Sequence, residues 1–357
     1  MPIVKMDTSF QLIVHRVTPG FLFGAWGGFE CTVHIVGECD IKPGSYVKFM
    51  GHVGDDGVAV CTKLICCTPP SHDLNYANDE SYSWLLSAVR KHVRDAIEIR
   101  PPAIVSGLAD RSFVLNCNGK MARLVGSHAL YCTLGAIKFG RCFSIEKAFR
   151  REEQITLRHL NEFDLFQYGE LGMTADQLME YVECLIRQIH AEALLKYPNG
   201  KMSRLSESPF KRLPWRRLRE LTPKSIGDDD ISSVENIALK DIWKESDNPI
   251  FITDMPADLS SWNTKVSEDG LSSTFNLIFP SIGEVIEGSQ RNTDREDFQR
   301  RFQGKKNLAS HFDWLLEGLI YPNVPVSVFG MGMERFAMWL YGIRDIKLVR
   351  QYTSHAV

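Results

Sequence analysis

Apolar positions fall into two regimes along the chain. Up to about residue 70 they alternate with polar ones in short runs, Gln11–Val17, Glu30–Val36, Tyr46–Met50 and Val58–Cys66. Turn residues at Gly20, Gly24, Gly27-Gly28, Pro43-Gly44 and Asp55-Asp56-Gly57 separate the runs. Period-two alternation between such turns predicts four or five short strands closing as a small β-barrel. Thr68-Pro69-Pro70-Ser71 reads as the start of a linker, so the chain divides into a barrel over 1–70, a connection over 71–80 and a larger domain over 81–357. From Ser81 to about Ile99 the spacing turns helical, with Trp84, Leu85, Val89, Val93, Ala96 and Ile97 on one side. That helix is expected to stop before Arg100-Pro101-Pro102, because a residue preceding proline is pushed out of the α region. Thr174 to Leu195 predicts a second helix, with Thr174 and Gln177 as a capping box and Leu178, Tyr181, Val182, Leu185, Ile186 and Ile189 as its core stripe. Between the two helices, Gly140 to Glu170 reads as two apolar strands joined by a loop, Arg150 to His159, dense in Arg, Glu and His.

Composition narrows the class only a little. A chain of 357 residues with 44% hydrophobic and 24% charged residues is ordinary for a globular protein. No run reaches the length of a membrane span, and Asp7 interrupts an N-terminus with no apolar signal core, so a cytoplasmic protein without a membrane is expected. The nine cysteines include no Cys-x-x-Cys, which points to reduced structural thiols. A net charge of −3 neither requires nor excludes RNA. Residues 1–70 carry five Lys/Arg against six acids, a poor balance for attracting phosphates. Phe21, Phe23 and Trp26 are expected in the barrel core rather than stacked on bases. The strongest basic run is 201–224, either an RNA-facing surface or a solvated face, and Asp228-Asp-Asp230 begins a polar loop after it.

The charged loop is where chemistry is expected. Arg150, Arg151, Arg158 and His159 can clamp a polyanion, since guanidinium forks match phosphate and carboxylate oxygens two at a time. Phe163 can stack on a flat base. Further on, Glu284 is placed on a strand where a carboxylate can hold Mg²⁺ between phosphates. Gly330 and Gly332 permit close backbone packing ahead of Arg335.

Three motifs in the same order resemble those of the class II aminoacyl-tRNA synthetases, in the aspartyl, asparaginyl and lysyl subclass. Phe149-Arg-Arg-Glu152 and Arg158-His-Leu-Asn-Glu-Phe163 resemble motif 2. Gly283-Glu-Val-Ile-Glu-Gly-Ser-Gln-Arg291 is similar to the asparaginyl pattern, and Gly330-Met-Gly-Met-Glu-Arg335 to motif 3. The helix–proline–strand segment after residue 81 resembles motif 1, which implies a homodimer, and the N-terminal barrel resembles an OB-fold. The resemblance implies an α+β fold, an antiparallel sheet flanked by helices. It also implies attack of an amino acid or related carboxylic acid on ATP, giving an acyl-adenylate and pyrophosphate. Arg150 would bridge the α-phosphate and the carboxylate, and Glu152 would read the adenine amino group. Phe163 and Arg335 would sandwich the ring, Arg158 and His159 would hold the distal phosphates, and Glu284 with Asn276 would hold Mg²⁺. Ser127, Ala129, Gln167, Glu287, Gly288, Ser289 and Arg291 would surround the amino acid.

Several positions depart from the family pattern. Ala129 stands where a glutamine holds the substrate ammonium, Asn276 where a second metal-binding acid stands, and Glu287 where a pocket glycine stands. Glu287 is expected to replace the missing glutamine at the ammonium. With the short, non-basic barrel, these departures favour a paralogue passing its acyl group to ammonia, another amine or a small carrier. An asparaginyl-tRNA synthetase charging tRNA is the alternative, and a non-catalytic regulatory subunit ranks below both.

Overall fold

A computed structural model of the chain describes residues 8–26, 29–35, 41, 45–54, 58–68, 76–93, 95–106, 111–152, 156–198, 200, 202–227, 231–243, 247–302, 313–319 and 324–350. The chain divides into two compact units, Met1–Ser81 and Tyr82–Val357. The expected turns at Gly27-Gly28, Pro43-Gly44 and Asp55-Asp56-Gly57, the linker prolines, Lys201 and Asp228–Asp230 lie outside the described residues.

Five strands form the first unit: β1 (Thr8–Thr18), β2 (Phe21–Trp26), β3 (Phe29–Ile35), β4 (Tyr46–Val53) and β5 (Ala59–Thr68). They close as a barrel in the order β1-β2-β3-β5-β4. Alternate residues fill it: Leu12, Val14, Leu22, Val33, Val47 and Phe49 are all buried. β2 is the strand that glycine punctuation hid, because Gly24 sits inside it rather than at a turn. The alternation that buries Leu22 turns Phe21 outward at 37% exposure, so Phe21 is not the core residue expected. Phe23 is half-buried, and the Trp26 side chain lies outside the described residues.

The second unit is built on an eight-stranded sheet, ordered β12-β13-β14-β15-β16-β11-β10-β6. Its strands are β6 (Ile97–Glu98), β10 (Arg141–Phe149), β11 (Glu162–Leu171), β12 (Lys211–Pro214), β13 (Ile250–Thr253), β14 (Thr274–Phe279), β15 (Gly283–Gln290) and β16 (Val326–Gly332). Pairing is antiparallel except for β12 with β13 and β6 with β10. A small sheet of β7 (Ile104–Ser106), β8 (Val114–Cys117) and β9 (Lys120–Leu124) stands apart. The helices are α1 (Tyr76–His92), α2 (Ala129–Phe139), α3 (Ala175–Lys196), α4 (Trp215–Glu220), α5 (Ile231–Ile242), α6 (Arg295–Phe302), α7 (Asp313–Gly318) and α8 (Met333–Tyr341). This is the mixed α+β architecture expected, and no described helix is long and apolar enough to cross a membrane.

α3 begins as its sequence dictates: the Thr174 side chain accepts from the Gln177 backbone N–H, and the Gln177 side chain accepts from the Thr174 N–H. α1 departs from expectation, starting at Tyr76 and ending at His92. The proline pair only bounds where a helix must have stopped. Here the chain turns earlier, with the Ala96 N–H donating to the Val93 carbonyl, which lets Ile97 and Glu98 pair in parallel with Cys142 and Phe143.

Strand alternation gives the sheet two different faces. Phe166, Tyr168, Phe275, Phe329 and Met331 join Leu85, Leu178, Val182, Phe336 and Trp339 in the main core. The residues between them, Leu165, Gln167, Gly330, Gly332 and Glu287, line a cavity of about 650 Å³ on the other face. Gly288 belongs to the core face, because a Cβ there would lie 2.2 Å from Phe275 Cζ. Its role is therefore packing, not the close approach to substrate expected of it. Gly288→Ala should destabilise the second unit by about 2 kcal/mol, the usual cost of overpacking a core, and lower the urea midpoint without changing the slope.

Candidate active site

The hairpin β10–β11 presents the charged loop. Its strands pair from Arg141↔Glu170 to Phe149↔Glu162, so the loop leaves and re-enters the sheet at one place. Asn161 fastens both sides: its carbonyl accepts from the Arg150 N–H at 2.9 Å and its side-chain Oδ1 from the Glu152 N–H at 3.2 Å. The Arg150 guanidinium lies 5.4 Å from the centre of the Phe163 ring. Arg111, at a left-handed φ of 55°, accepts the Arg151 N–H on its carbonyl and brings its guanidinium 3.9 Å from Glu152.

Carbonyl groups hold the other two arginines. Arg158 Nη1 donates to the Ile282 carbonyl at 2.8 Å. Gly283 follows with φ of 90°, and a Cβ there would crowd Arg158 Nη1 at 3.1 Å. Arg335, at the start of α8, donates from Nε to the Arg158 carbonyl at 3.0 Å and from Nη1 to the Glu284 carbonyl at 2.8 Å. One guanidinium thus ties motif 2, the β14–β15 hairpin and motif 3 together. His159 is held through Nδ1 by Thr156 Oγ1 at 2.7 Å. Burial and the Arg335 charge lower its pKa, with Arg158 and Arg111 adding to the effect and Glu152 opposing it, which favours the uncharged ring. In that form it can offer an N–H to a phosphate.

Beneath the loop, Glu334 is almost wholly buried, at 1% exposure. Both its oxygens accept the Asp164 N–H at 3.0 Å, and Arg350 Nη2 lies 3.1 Å away. Tyr82 donates to Asp164 at 2.7 Å and Lys147 reaches it at 2.6 Å, which closes the network. Phe163, next to Asp164, is fixed by this arrangement.

The acids around Glu284 are crowded. Burial raises the Glu284 carboxyl, Glu287 adds to the rise, and Arg335 and Arg150 oppose it. Asn276 sends its Nδ2 to Glu284 at 3.3 Å and to the buried Glu235 at 3.4 Å. Burial and the Glu284 charge push Glu235 up to about 8. Asn276 therefore turns a donor toward Glu284 where a cation needs an acceptor, and it does not line the cavity. This separates it from the metal-ligand role expected.

The cavity brings together Arg150, Glu152, Arg158, His159, Phe163, Glu284, Gly330, Gly332 and Arg335, and beside them Ser127, Ala129, Gln167, Glu287 and Arg291. Asn276, Gly288 and Ser289 are outside it; the Ser289 hydroxyl faces Thr264 Oγ1 at 3.4 Å within the protein. Gln167 accepts the His128 N–H at 2.5 Å and donates to Ser127 Oγ at 3.1 Å. Arg111, Arg123, Trp262, Asn263 and Glu334 also line the cavity without having been singled out. Glu334 was visible inside Gly-x-Gly-x-Glu-Arg, whereas Arg111, Trp262 and Asn263 come from loops with no local pattern. In the basic run, Arg212 pairs with Asp176 and Glu180, and Arg217 with Glu220. Arg204 instead joins Arg158 and Arg344 around a second cavity of about 680 Å³.

Residues 82–356 match the family model of class II tRNA synthetases (D, K and N). The chain belongs to that family. It is 26% identical over 295 residues to the cytoplasmic asparagine–tRNA ligase of Saccharomyces cerevisiae, covering 76% of this chain and 53% of that protein. Against the asparagine–tRNA ligase of Thermus thermophilus it is 25% identical over 323 residues, covering 78% and 73%. The chain spans about half the length of the yeast proteins it matches. Its fold is that of the Entamoeba histolytica asparaginyl-tRNA synthetase in complex with asparaginyl-adenylate, with a TM-score of 0.77 at 19% identity over 97% of this chain and 94% of that one. The Pyrococcus horikoshii enzyme complexed with asparaginyl-adenylate superposes with a TM-score of 0.76 at 20% identity, covering 99% and 96%.

The Glu334 network gives a pH dependence. Burial and the Asp164 charge push the Glu334 carboxyl up to about 7 against the pull of Arg350. Between its ordinary value of 4.5 and about 7 the folded chain keeps a proton that the unfolded chain has lost, so this group's contribution to stability falls as pH rises through that window. Urea midpoints taken from about pH 5 to 8 should show wild type losing stability relative to Glu334→Gln up to about pH 7, and parallel curves above. Curves parallel throughout would contradict the assignment.

Proposed function

We propose that this protein activates asparagine with ATP as an aminoacyl-adenylate and transfers it to tRNA. The observation that carries this reading is one cavity with guanidiniums and a stacking ring at one end and a Gln167, Glu287 and Arg291 cluster at the other. An adenylate needs both ends at once, with the reacting atoms between them.

In this reading the amino-acid carboxylate attacks the α-phosphorus, the bond to the bridging oxygen breaks, and pyrophosphate leaves with the electron pair. Both reactants are anions, so positioning and charge compensation do most of the work and no general base is required. Arg150 spans the carboxylate and the α-phosphate, Glu152 reads the adenine amino group, and Phe163 and Arg335 enclose the base. Arg158 supplies charge at the distal phosphates and His159 a hydrogen-bond donor. The half-buried Glu284 carboxylate would hold Mg²⁺, which would supply charge neutralisation at the phosphates and offset the acid's own burial.

Transfer to tRNA replaces the amine or small-carrier acceptor suggested by the sequence departures. Its support is that the similar proteins are themselves asparagine–tRNA ligases, including the yeast cytoplasmic one, which also supports a cytoplasmic location. The homodimer implied by motif 1 belongs to the same reading. Ile97 and Ile104, on either side of Pro101-Pro102, are exposed at 51% and 53%, an apolar surface suited to a second copy.

ATP–pyrophosphate exchange over all standard amino acids, followed by charging of total tRNA, tests the reading. Exchange with asparagine is expected, with Arg150→Ala and Arg335→Lys each slowing it by about 100-fold or more. Absence of exchange with every amino acid would overturn it, and exchange without charging would return the acceptor to a small amine.

A further inference from the structure

A second cavity, of about 680 Å³, is lined by the motif 2 loop, the turn between β14 and β15, and the chain that follows α8. Arg158 belongs to this cavity and to the main one alike. Its Nη1 is held by the Ile282 carbonyl at 2.8 Å, and the rest of its guanidinium makes no hydrogen bond among the described residues. Arg158 therefore has donors to spare on a wall that both spaces share.

Arg204 and Arg344 complete the cationic lining. Both are exposed, and neither makes a hydrogen bond or ion pair among the described residues. Arg212 and Arg217, from the same basic run as Arg204, are instead spent on Asp176, Glu180 and Glu220. Among the described residues that line the cavity, Asp247 is the one acid. Three guanidiniums against one carboxylate set a positive potential in a concave space, and the buried apolar floor of Ile282, Met338 and Trp339 strengthens it by keeping water from that side.

The floor also limits what the anion can be. Trp339 is 3% exposed, with its ring stacked on Phe336 at 5.7 Å, so it offers no face to a base. A nucleotide would find phosphate donors here but no aromatic platform. A polyphosphate without a base fits, because guanidinium forks take phosphate oxygens two at a time.

We propose that this cavity is a pyrophosphate site that takes the product from Arg158 as it leaves the main cavity, with Arg204 and Arg344 as its further cations. The exit role rests on the aminoacyl-adenylate reading, in which Arg158 holds the distal phosphates. A cation that stabilises a leaving group also detains it, and neighbouring unpaired cations ease its release, a step that limits many enzymes.

Titration calorimetry of the full chain with pyrophosphate, after saturation with α,β-methylene ATP and Mg²⁺, tests this on wild type and Arg204→Ala/Arg344→Ala, with circular dichroism as the check of folding. Wild type should take up one further pyrophosphate, and the double variant should bind it at least about tenfold more weakly, the scale of losing charge-assisted hydrogen bonds. Affinity for the analogue should not change, since neither arginine lines the main cavity. In ATP–pyrophosphate exchange the variant should raise the KM for pyrophosphate and leave that for ATP unaltered. Absence of uptake beside the bound analogue, or uptake that the variant leaves intact, overturns the proposal. Sulfate bound as tightly as pyrophosphate would make this a place for an adventitious ion only, and an equal rise in both KM values would show a general effect on the loop; either result also overturns it. If the analogue itself does not bind, the adenylate reading fails and the exit role with it.

Discussion

A buried carboxylate at Glu334 accepts one backbone N–H on the neighbouring strand, and much of the site depends on that bond. It joins the start of α8 to Asp164. Arg350 closes the charge from the C-terminal side, while Tyr82 and Lys147 hold Asp164 from α1 and β10. Four elements far apart in sequence are pinned around the residue that follows Phe163. Removing one partner of such a pair leaves a buried charge uncompensated, which makes the arrangement stiff rather than merely stable. Stiffness is what a stacking ring and a guanidinium loop need if they are to meet a substrate already in place.

The cations of the site are restrained by carbonyls more than by acids. Arg158 leans on the Ile282 carbonyl, and Arg335 on those of Arg158 and Glu284. A carbonyl orients a guanidinium without cancelling its charge, so the positive potential remains available to an anion. The acids nearby are arranged differently. Asn276 satisfies Glu235 and Glu284 together with one amide group, where a third carboxylate would add repulsion to two buried ones. The neutral residue that departs from the family pattern is thus explained by Glu235, an acid contributed by α5.

The motif hairpin was legible because its apolar strands end abruptly at Phe149 and resume at Glu162, leaving no ambiguity about the loop between. The barrel was legible from alternation, although a glycine inside β2 concealed one strand and misplaced Phe21. Gly288 and Ser289 were assigned to the amino acid from the motif alone. With Glu287 facing the cavity, period-two alternation sends Gly288 to the core, where Phe275 excludes a side chain. Arg111, Trp262 and Asn263 were not legible, since each reaches the cavity from a loop whose path depends on tertiary packing. The end of α1 was set by a strand pairing further along the chain, which local propensity does not contain.

The lowered pKa of His159 has a consequence for how the loop behaves as its surroundings acidify. Guanidiniums do not titrate under biological conditions, and the pKa of the one group in the loop that ordinarily would is lowered by its burial and by those same guanidiniums. A change in acidity therefore acts less on the loop's own charge than on the Glu334 carboxyl beneath it, which is pushed up to about 7.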